Sequence, residues 1–172
     1  VAAPCARRFL IVTGKGNNAG DAFVVARYLL RAGCQVTVLL SGPADALQGD
    51  ALMNWRALER LMDQAREPLA AMGIPDRIRA WQGDAIVDGL LGTGLQGDVR
   101  GEYREIIETI NARALPVLAL DIPSGLDGDT GAPRGAAVRA TWTVTFGHAK
   151  RGMIEPSSTE FCGRIEVVDI GL

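Results

Sequence analysis

The stretch GKGNNAGD (residues 14–21) lies between two apolar runs, FLIVT at 9–13 and FVVARYLL at 23–30. The first run is typical of a buried strand and the second of a helix, so the stretch between them is predicted to be a strand-to-helix turn. Such turns bind phosphate, because glycines let the backbone approach a ligand and the unpaired N–H groups of the helix N-terminus attract an anion. One asparagine is explained as a helix cap. Two asparagines followed by Asp21 are more polar than a turn requires.

Strand and helix patterns alternate along the rest of the chain. Further strands are predicted at 35–40, 85–88, 116–120, 141–146 and 164–168, and further helices from about 45 to 64 and from about 101 to 113. Glycine and proline interrupt residues 66–81, where at most a short strand near Ile78 is predicted. The alternation predicts one α/β domain over 1–172, a Rossmann-like three-layer α/β/α sandwich with a mostly parallel central sheet. It leaves open whether the last two strands join that sheet.

Composition restricts the classes of function. The 172 residues are 48% hydrophobic and carry a formal net charge of -2, which offers no basic patch for nucleic acid or for a membrane surface. No apolar run approaches the roughly 20 residues of a membrane-spanning helix. Cys5, Cys34 and Cys162 are odd in number and widely spaced, which argues against a disulfide framework and favours a reducing cytoplasm.

Polar side chains follow three of the predicted strands. They are Asn17, Asn18 and Asp21 after the first strand, Asp88 with 92–94 after the fourth (counting the one near Ile78), and Asp121 with Ser124 after the fifth. Ligands of open α/β sheets bind beyond the carboxyl ends of the strands, near the point where strand order reverses. Any one of these acids is as readily explained as a turn cap. Their coincidence indicates a binding site.

Several familiar nucleotide-binding patterns fit poorly. Gly14, Gly16 and Ala19 satisfy G-x-G-x-x-G/A, but the acid expected about 20 residues later is missing, because Leu39, Leu40 and Ser41 stand there. An NAD dehydrogenase is therefore the lesser interpretation. No G-K-[ST] follows the glycines, and no G-x-S-x-G or Cys/His pair supports a hydrolase.

Four motifs together resemble a known family. They are GKGNNAGD at 14–21, VDGLLGTGL at 87–95, DIPSGLDGDTG at 121–131, and TVTF at 143–146 with Lys150 four residues later. In this order they resemble the YjeF N-terminal domain, NAD(P)H-hydrate epimerase, although Ala19 and Ala22 replace family glycines and the family's leading helical segment is not among these residues.

The resemblance implies an activity and its partners. Members interconvert the R and S epimers of NADHX and NADPHX, the hydrated forms of reduced nicotinamide cofactors, for repair by an ADP- or ATP-dependent dehydratase specific for S. In many bacteria that dehydratase is fused C-terminally, so the chain is expected to be the epimerase half of such an enzyme, cytoplasmic and homodimeric. A nucleotide-binding or scaffold module of the same fold, without epimerase chemistry, is the alternative.

The resemblance also implies site residues. The family's ligands for one potassium ion per subunit fall on Asn18, Asp88 and Ser124, which supply the hard oxygen atoms that suit an alkali cation. Its substrate contacts fall on Asn17, Asn18, Ala19, Gly20, Asp21, Gly92, Thr93, Gly94, Leu95, Gln96, Gly97, Asp98 and Asp121.

We hypothesise a mechanism in which Asp121 transfers a proton. The ring nitrogen of the hydrate helps to expel the hydroxyl, Asp121 donates and then recovers the proton, and its negative charge stabilises the cationic intermediate. The competing interpretation is that Asp121 only accepts backbone hydrogen bonds within the turn at 122–127. For Lys150 a phosphate contact is one interpretation, but a solvated surface lysine is expected, and His148 has no catalytic partner in the sequence.

Overall fold

The computed structural model describes residues 6–62 and 72–171, which form alternating strands and helices. The strands are β1 (Arg8–Thr13), β2 (Gln35–Leu40), β3 (Ala85–Gly89), β4 (Val117–Leu120), β5 (Trp142–Phe146) and β6 (Arg164–Val168). The helices are α1 (Asn17–Arg31), α2 (Gly49–Met62), α3 (Ile74–Ala80), α4 (Gly101–Asn111) and α5 (Thr159–Cys162), with short 3-10 turns at Ala44–Ala46, Arg151–Ile154 and Pro156–Ser158. None of the described helices is long and apolar enough to span a bilayer.

All six strands belong to one sheet, in the order β2-β1-β3-β4-β5-β6, and every described pairing is parallel. The predicted α/β class is therefore confirmed, and the last two strands do join the main sheet. The chain builds β2 on one side of β1 and then returns to build β3 on the other. The reversal of strand order lies between β1 and β3, where such sheets open a crevice for ligands.

Helices cover the sheet on both faces. Phe9 and Ile11 of β1 face α1 and α2, where they pack with Phe23 and Leu58. Leu10 and Val12 face α3 and α4, with Ile106 and Ile110 of α4 among their neighbours. Burial on both faces explains why β1 is apolar at consecutive positions.

The structure corrects two of the predicted elements. The region near Ile78 is α3, not a strand, because Gly73 is its N-cap and Pro75 lies in its first turn, where proline is tolerated. Asp88 and Asp121 thus belong to the third and fourth strands. The helix predicted from about residue 45 is divided into a 3-10 turn and α2. The second part begins at Gly49, whose φ is +52°. Its predicted last residues, 63 and 64, lie outside the described residues, as does Cys5.

Candidate functional site

A cleft of about 410 Å³ opens at the carboxyl ends of β1, β3 and β4. Its lining residues are Lys15, Gly16, Asn17, Asn18, Asp21, Leu90, Leu91, Gly92, Thr93, Gly94, Leu95, Gln96, Tyr103 and Asp121. The cleft therefore occupies the crevice at which strand order reverses.

Backbone N–H groups form one wall. α1 begins directly after Gly16, its N-cap, and no side chain caps it. The asparagines are thus in the first helical turn and neither serves as the cap. Because the first N–H groups of a helix lack partners within it, this turn presents donors to an anion in the cleft.

Gly14 sets the width of the crevice between β1 and β3. A Cβ atom there would lie 2.2 Å from the carbonyl oxygen of Leu90, which is too close for any side chain. The glycine lets the loop after β1 pass beside the loop after β3, and the Gly14 N–H donates to the Gly89 carbonyl at 3.4 Å.

Asp88, Ser124 and Asn18 form a buried polar group beneath the cleft. The Ser124 hydroxyl donates to Asp88 Oδ1 at 2.6 Å, and the Ser124 N–H donates to Asp88 Oδ2 at 2.8 Å. The Leu91 N–H donates to Ser124 Oγ at 2.8 Å, and Asn18 Nδ2 donates to the Leu91 carbonyl at 3.0 Å. The fold therefore brings together the three residues that the resemblance singled out, Asn18, Asp88 and Ser124.

Two properties of this group suit a hard cation. Asn18 Oδ1 is buried and has no hydrogen-bond partner. Burial raises the pKa of Asp88 to about 6, against the opposing effect of its hydrogen bonds from Ser124 and Leu90. An unsatisfied amide oxygen and a carboxylate that is costly to ionise both gain from a hard cation, so these residues fit such an ion.

Asp121 has a strained backbone. Its φ is +65°, and it is the single non-glycine residue with a positive φ in the described part of the chain. The Ile122 N–H donates to the Leu120 carbonyl at 2.8 Å, which closes a γ-turn around Asp121. Strain of this kind costs about 1–3 kcal/mol and occurs most often at functional sites.

The Asp121 side chain is paired with Lys150. The Lys150 ammonium group forms an ion pair with Asp121 Oδ1, and it also donates to Thr145 Oγ1 at 2.8 Å and to the Phe146 carbonyl at 3.4 Å. The Lys150 side chain is 22% exposed. The expectation of a solvated surface lysine is therefore wrong, and the described partners of the Asp121 carboxylate are side chains from outside the 122–127 turn.

Asp21 lies in the first turns of α1 and lines the same cleft. Burial, and second the negative charge of Asp121, raise the pKa of the Asp21 carboxyl. The cleft thus holds two carboxyl groups that influence each other electrostatically.

The cleft contains most of the expected substrate contacts. Ala19 and Gly20 do not line it: Ala19 is in the core, and Gly20 packs on Ala51 of α2. Gly97 and Asp98 also lie outside it, and the Asp98 carboxylate forms an exposed ion pair with Arg100 at 3.8 Å. The lining residues that were missed are Lys15, Gly16, Leu90, Leu91 and Tyr103.

Two kinds of signal bear on the missed residues. Four of them lie within the motifs at 14–21 and 87–95, namely Lys15, Gly16, Leu90 and Leu91. A prediction that included every residue of both motifs would have found them. Tyr103 lies in the helix predicted from about 101 to 113, and nothing in the helical periodicity distinguishes a cleft residue from a core residue.

The chain matches the family model described as YjeF-related protein N-terminus over residues 2–152. It is 41% identical, over 98% of its length, to the bifunctional NAD(P)H-hydrate repair enzyme Nnr of Pyrobaculum aerophilum, and covers 34% of that protein. It is 39% identical to the NAD(P)H-hydrate epimerase of Rhodopirellula baltica, over 95% of this chain and 66% of that one. It is 40% identical to the NAD(P)H-hydrate epimerase of Pirellula staleyi, over 98% of this chain and 74% of that one. The chain thus spans about a third of the first of these relatives.

The fold is also similar to a solved structure. The crystal structure of yeast ynu0 (YNL200c) superposes with a TM-score of 0.71, over 95% of this chain and 66% of that chain. The sequence identity is 18%, so this likeness bears on the fold.

Proposed function

Because the chain belongs to the YjeF-related protein N-terminus family, we propose that it is an isomerase domain that interconverts the R and S epimers of hydrated NADH and NADPH. One observation carries the proposal. The cleft at the reversal of strand order joins uncapped helix N–H groups to a strained carboxylate, Asp121. The first can bind the substrate's pyrophosphate and the second can exchange a proton with its hydroxylated ring. The epimerases of Rhodopirellula and Pirellula are similar over nearly the whole chain.

The substrate's charged part is assigned to the α1 side of the cleft. The N–H groups after Gly16 attract an anion through their own polarity and through the helix dipole. Lys15, which also lines the cleft, adds a positive charge. The ring then extends toward Asp121, beneath the glycine-rich segment 92–94.

Asp121 is the proposed proton-transfer residue. The ring nitrogen of the hydrate pushes out the hydroxyl as its lone pair forms a C=N bond, and a carboxyl group speeds such a step by protonating the leaving oxygen. Water then adds to the cationic ring as the carboxylate takes up a proton. The negative charge beside the ring stabilises the cation, as expected for a charge fixed in advance by its surroundings.

Asn18, Asp88 and Ser124 are the proposed ligands of one potassium ion. Their support is the unpartnered Asn18 Oδ1 and the buried Asp88 carboxylate. When bound, the ion supplies positive charge under the pyrophosphate. The chain's own residues keep the oxygen donors in place through the hydrogen bonds of Ser124 and Leu91.

Partners and location are part of the same proposal. Relatives named bifunctional NAD(P)H-hydrate repair enzymes contain a region like this chain as about a third of their length. We place the domain beside an ADP- or ATP-dependent dehydratase, as a homodimer in the cytoplasm. Free Cys34 and Cys162 are consistent with a reducing compartment.

The test is to incubate R-NADPHX with the domain in potassium buffer and follow the S epimer by chiral chromatography. We expect acceleration above the spontaneous rate, and a loss of about 100-fold or more in Asp121→Asn. Asp121→Asn with the wild-type rate would eliminate the catalytic assignment. Nucleotide binding without any acceleration would identify the alternative, a binding or scaffold module.

A further inference from the structure

Epimerisation by loss and addition of water poses a geometric problem for a single carboxyl group. The hydroxyl leaves from one face of the ring, and the incoming oxygen must bond to the opposite face. A carboxyl group fixed at one face serves only one of the two steps, so a second proton-transfer group is needed across the ring.

The cleft has a second carboxyl group. Asp21 lies in the second turn of α1 and Asp121 follows β4, and both residues line the cleft. Besides burial, the negative charge of Asp121 raises the pKa of the Asp21 carboxyl, so the two groups are close enough to interact. A ring bound between them has one carboxyl group on each side, as the sugar has in inverting glycosidases.

The surroundings of the two groups are unequal. Lys150 uses its three N–H donors on Asp121, Thr145 and Phe146, so its ammonium group is held against the Asp121 carboxylate. Asp21 forms no ion pair within the described part of the chain, and burial together with the Asp121 charge raises the pKa of its carboxyl. When two carboxyl groups have unequal surroundings, one commonly acts as the acid and the other as the base. Lys15 and Tyr103 are the other ionisable groups lining the cleft.

We propose that Asp21 and Asp121 act as a pair, one carboxyl group at each face of the reacting ring, with Lys150 as the positioning residue that holds Asp121 as the base. The inference rests on the proposed epimerase function and adds Asp21 to its catalytic residues.

The step balances in protons and electrons. The protonated Asp21 gives its proton to the hydroxyl as the C–O bond breaks, and the ring nitrogen supplies the electron pair of the new C=N bond. Water on the other face adds its oxygen to that carbon, the C=N electrons return to nitrogen, and Asp121 takes the released proton. One water leaves and one enters. The reverse reaction starts from protonated Asp121 and ends with protonated Asp21.

This scheme has a signature in oxygen exchange. A variant that retains one carboxyl group can still remove a hydroxyl from its own face and return a different water to that same face. Such a variant exchanges the hydroxyl of one epimer with solvent without epimerising it. Asp21→Asn and Asp121→Asn should therefore exchange opposite epimers.

The experiment measures epimerisation and ¹⁸O incorporation from H₂¹⁸O into each pure epimer, with substrate affinity and Tm for every variant. We expect about a 100-fold or greater loss of epimerisation in both variants, with exchange retained in opposite epimers and Kd within about threefold. Lys150→Gln should behave like Asp121→Asn, with partial rescue in Lys150→Arg. Asp45→Asn, an exposed acid after β2 and outside the cleft, is the matched control.

Two results would overturn the pairing. Asp21→Asn could epimerise within about threefold of wild type, or it could lose exchange in both epimers in proportion to weaker binding, which would make Asp21 a binding residue only. If the wild-type domain itself does not accelerate epimerisation, the proposed function fails and this inference fails with it.

Discussion

Asp84 and Asp88 stand at the two ends of β3 and have opposite surroundings. Asp84 accepts hydrogen bonds from the N–H groups of Arg7 and Arg8 at 2.8 and 2.9 Å, and its ion pair with the Arg8 guanidinium spans 3.0 Å. These contacts lower its pKa to about 2. Asp88 is fully buried, its described partners Ser124 and Leu90 are uncharged, and burial raises its pKa to about 6.

The difference separates a carboxylate that stabilises the fold from one that is proposed to bind a cation. At the Asp84 end the chain provides its own counter-charge, the Arg8 guanidinium. The Arg113 guanidinium also has partners within the fold, because it donates to the carbonyls of Ile78 and Trp81. At the Asp88 end the carboxylate has only uncharged hydrogen-bond partners among the described residues, and the buried Asn18 Oδ1 has none. An aspartate therefore supports the fold at one end of β3, and at the other end an aspartate is a proposed cation ligand.

The largest expected effect is on Asp88. Its pKa rises from 3.8 to about 6 on folding, so its contribution to stability is present below pH 3.8 and is lost as the pH rises through about 6. At about 1.4 kcal/mol for each pKa unit, the free energy of unfolding should fall by about 3 kcal/mol without a cation. Added KCl, compared with choline chloride in denaturant unfolding, should restore stability more at pH 8 than at pH 5. An equal response in Asp88→Asn would contradict the assigned ligand.

The next effect tests how closely the two loops of the cleft must approach. Gly14→Ala places a methyl group 2.2 Å from the Leu90 carbonyl oxygen, so the loops must separate. We expect the free energy of unfolding to fall by about 1–3 kcal/mol and the KM to rise. Gly16→Ala is the matched control for stability, since a Cβ there meets nothing within 4 Å. Equal urea midpoints for both variants would show that the contact does not constrain the fold.

The smallest effect is expected at the other end of β3. Asp84→Asn removes a charge paired with Arg8 and should lower the Tm by a few degrees, while kcat stays within about twofold. Because folding lowers the pKa of Asp84, its contribution is present above pH 3.8 and is lost as the pH falls toward 2. The Tm difference from wild type, measured by calorimetry, should therefore shrink in acid. A large loss of activity with an unchanged Tm would remove the distinction between the two ends.

Local pattern was sufficient for most of the fold and for the edge that holds the site. Runs such as 9–13 and 116–120 are apolar because both sheet faces are covered, so their strands and the polar residues after them were predictable. The error near Ile78 came from treating Gly73 and Pro75 as breakers, although a glycine cap followed by an early proline begins a helix equally well.

The partners of the site residues were less predictable. Lys150 reaches Asp121 because β5 lies beside β4 and the chain turns back at 147–150. The two residues are 29 positions apart in the sequence, which conceals this relation. The buried status of Asp88 likewise depends on β3 lying between β1 and β4. Such facts follow from strand order, which periodicity does not encode.

The γ-turn at Asp121 has a consequence for anyone who engineers this domain for heat resistance. A positive φ suits glycine better than aspartate, so selection for melting temperature alone would favour a substitution at this position. Screens that score stability without turnover would thus discard the residue that is proposed to transfer the proton. At this position the backbone conformation favours glycine, whereas the proposed chemistry requires a carboxyl group.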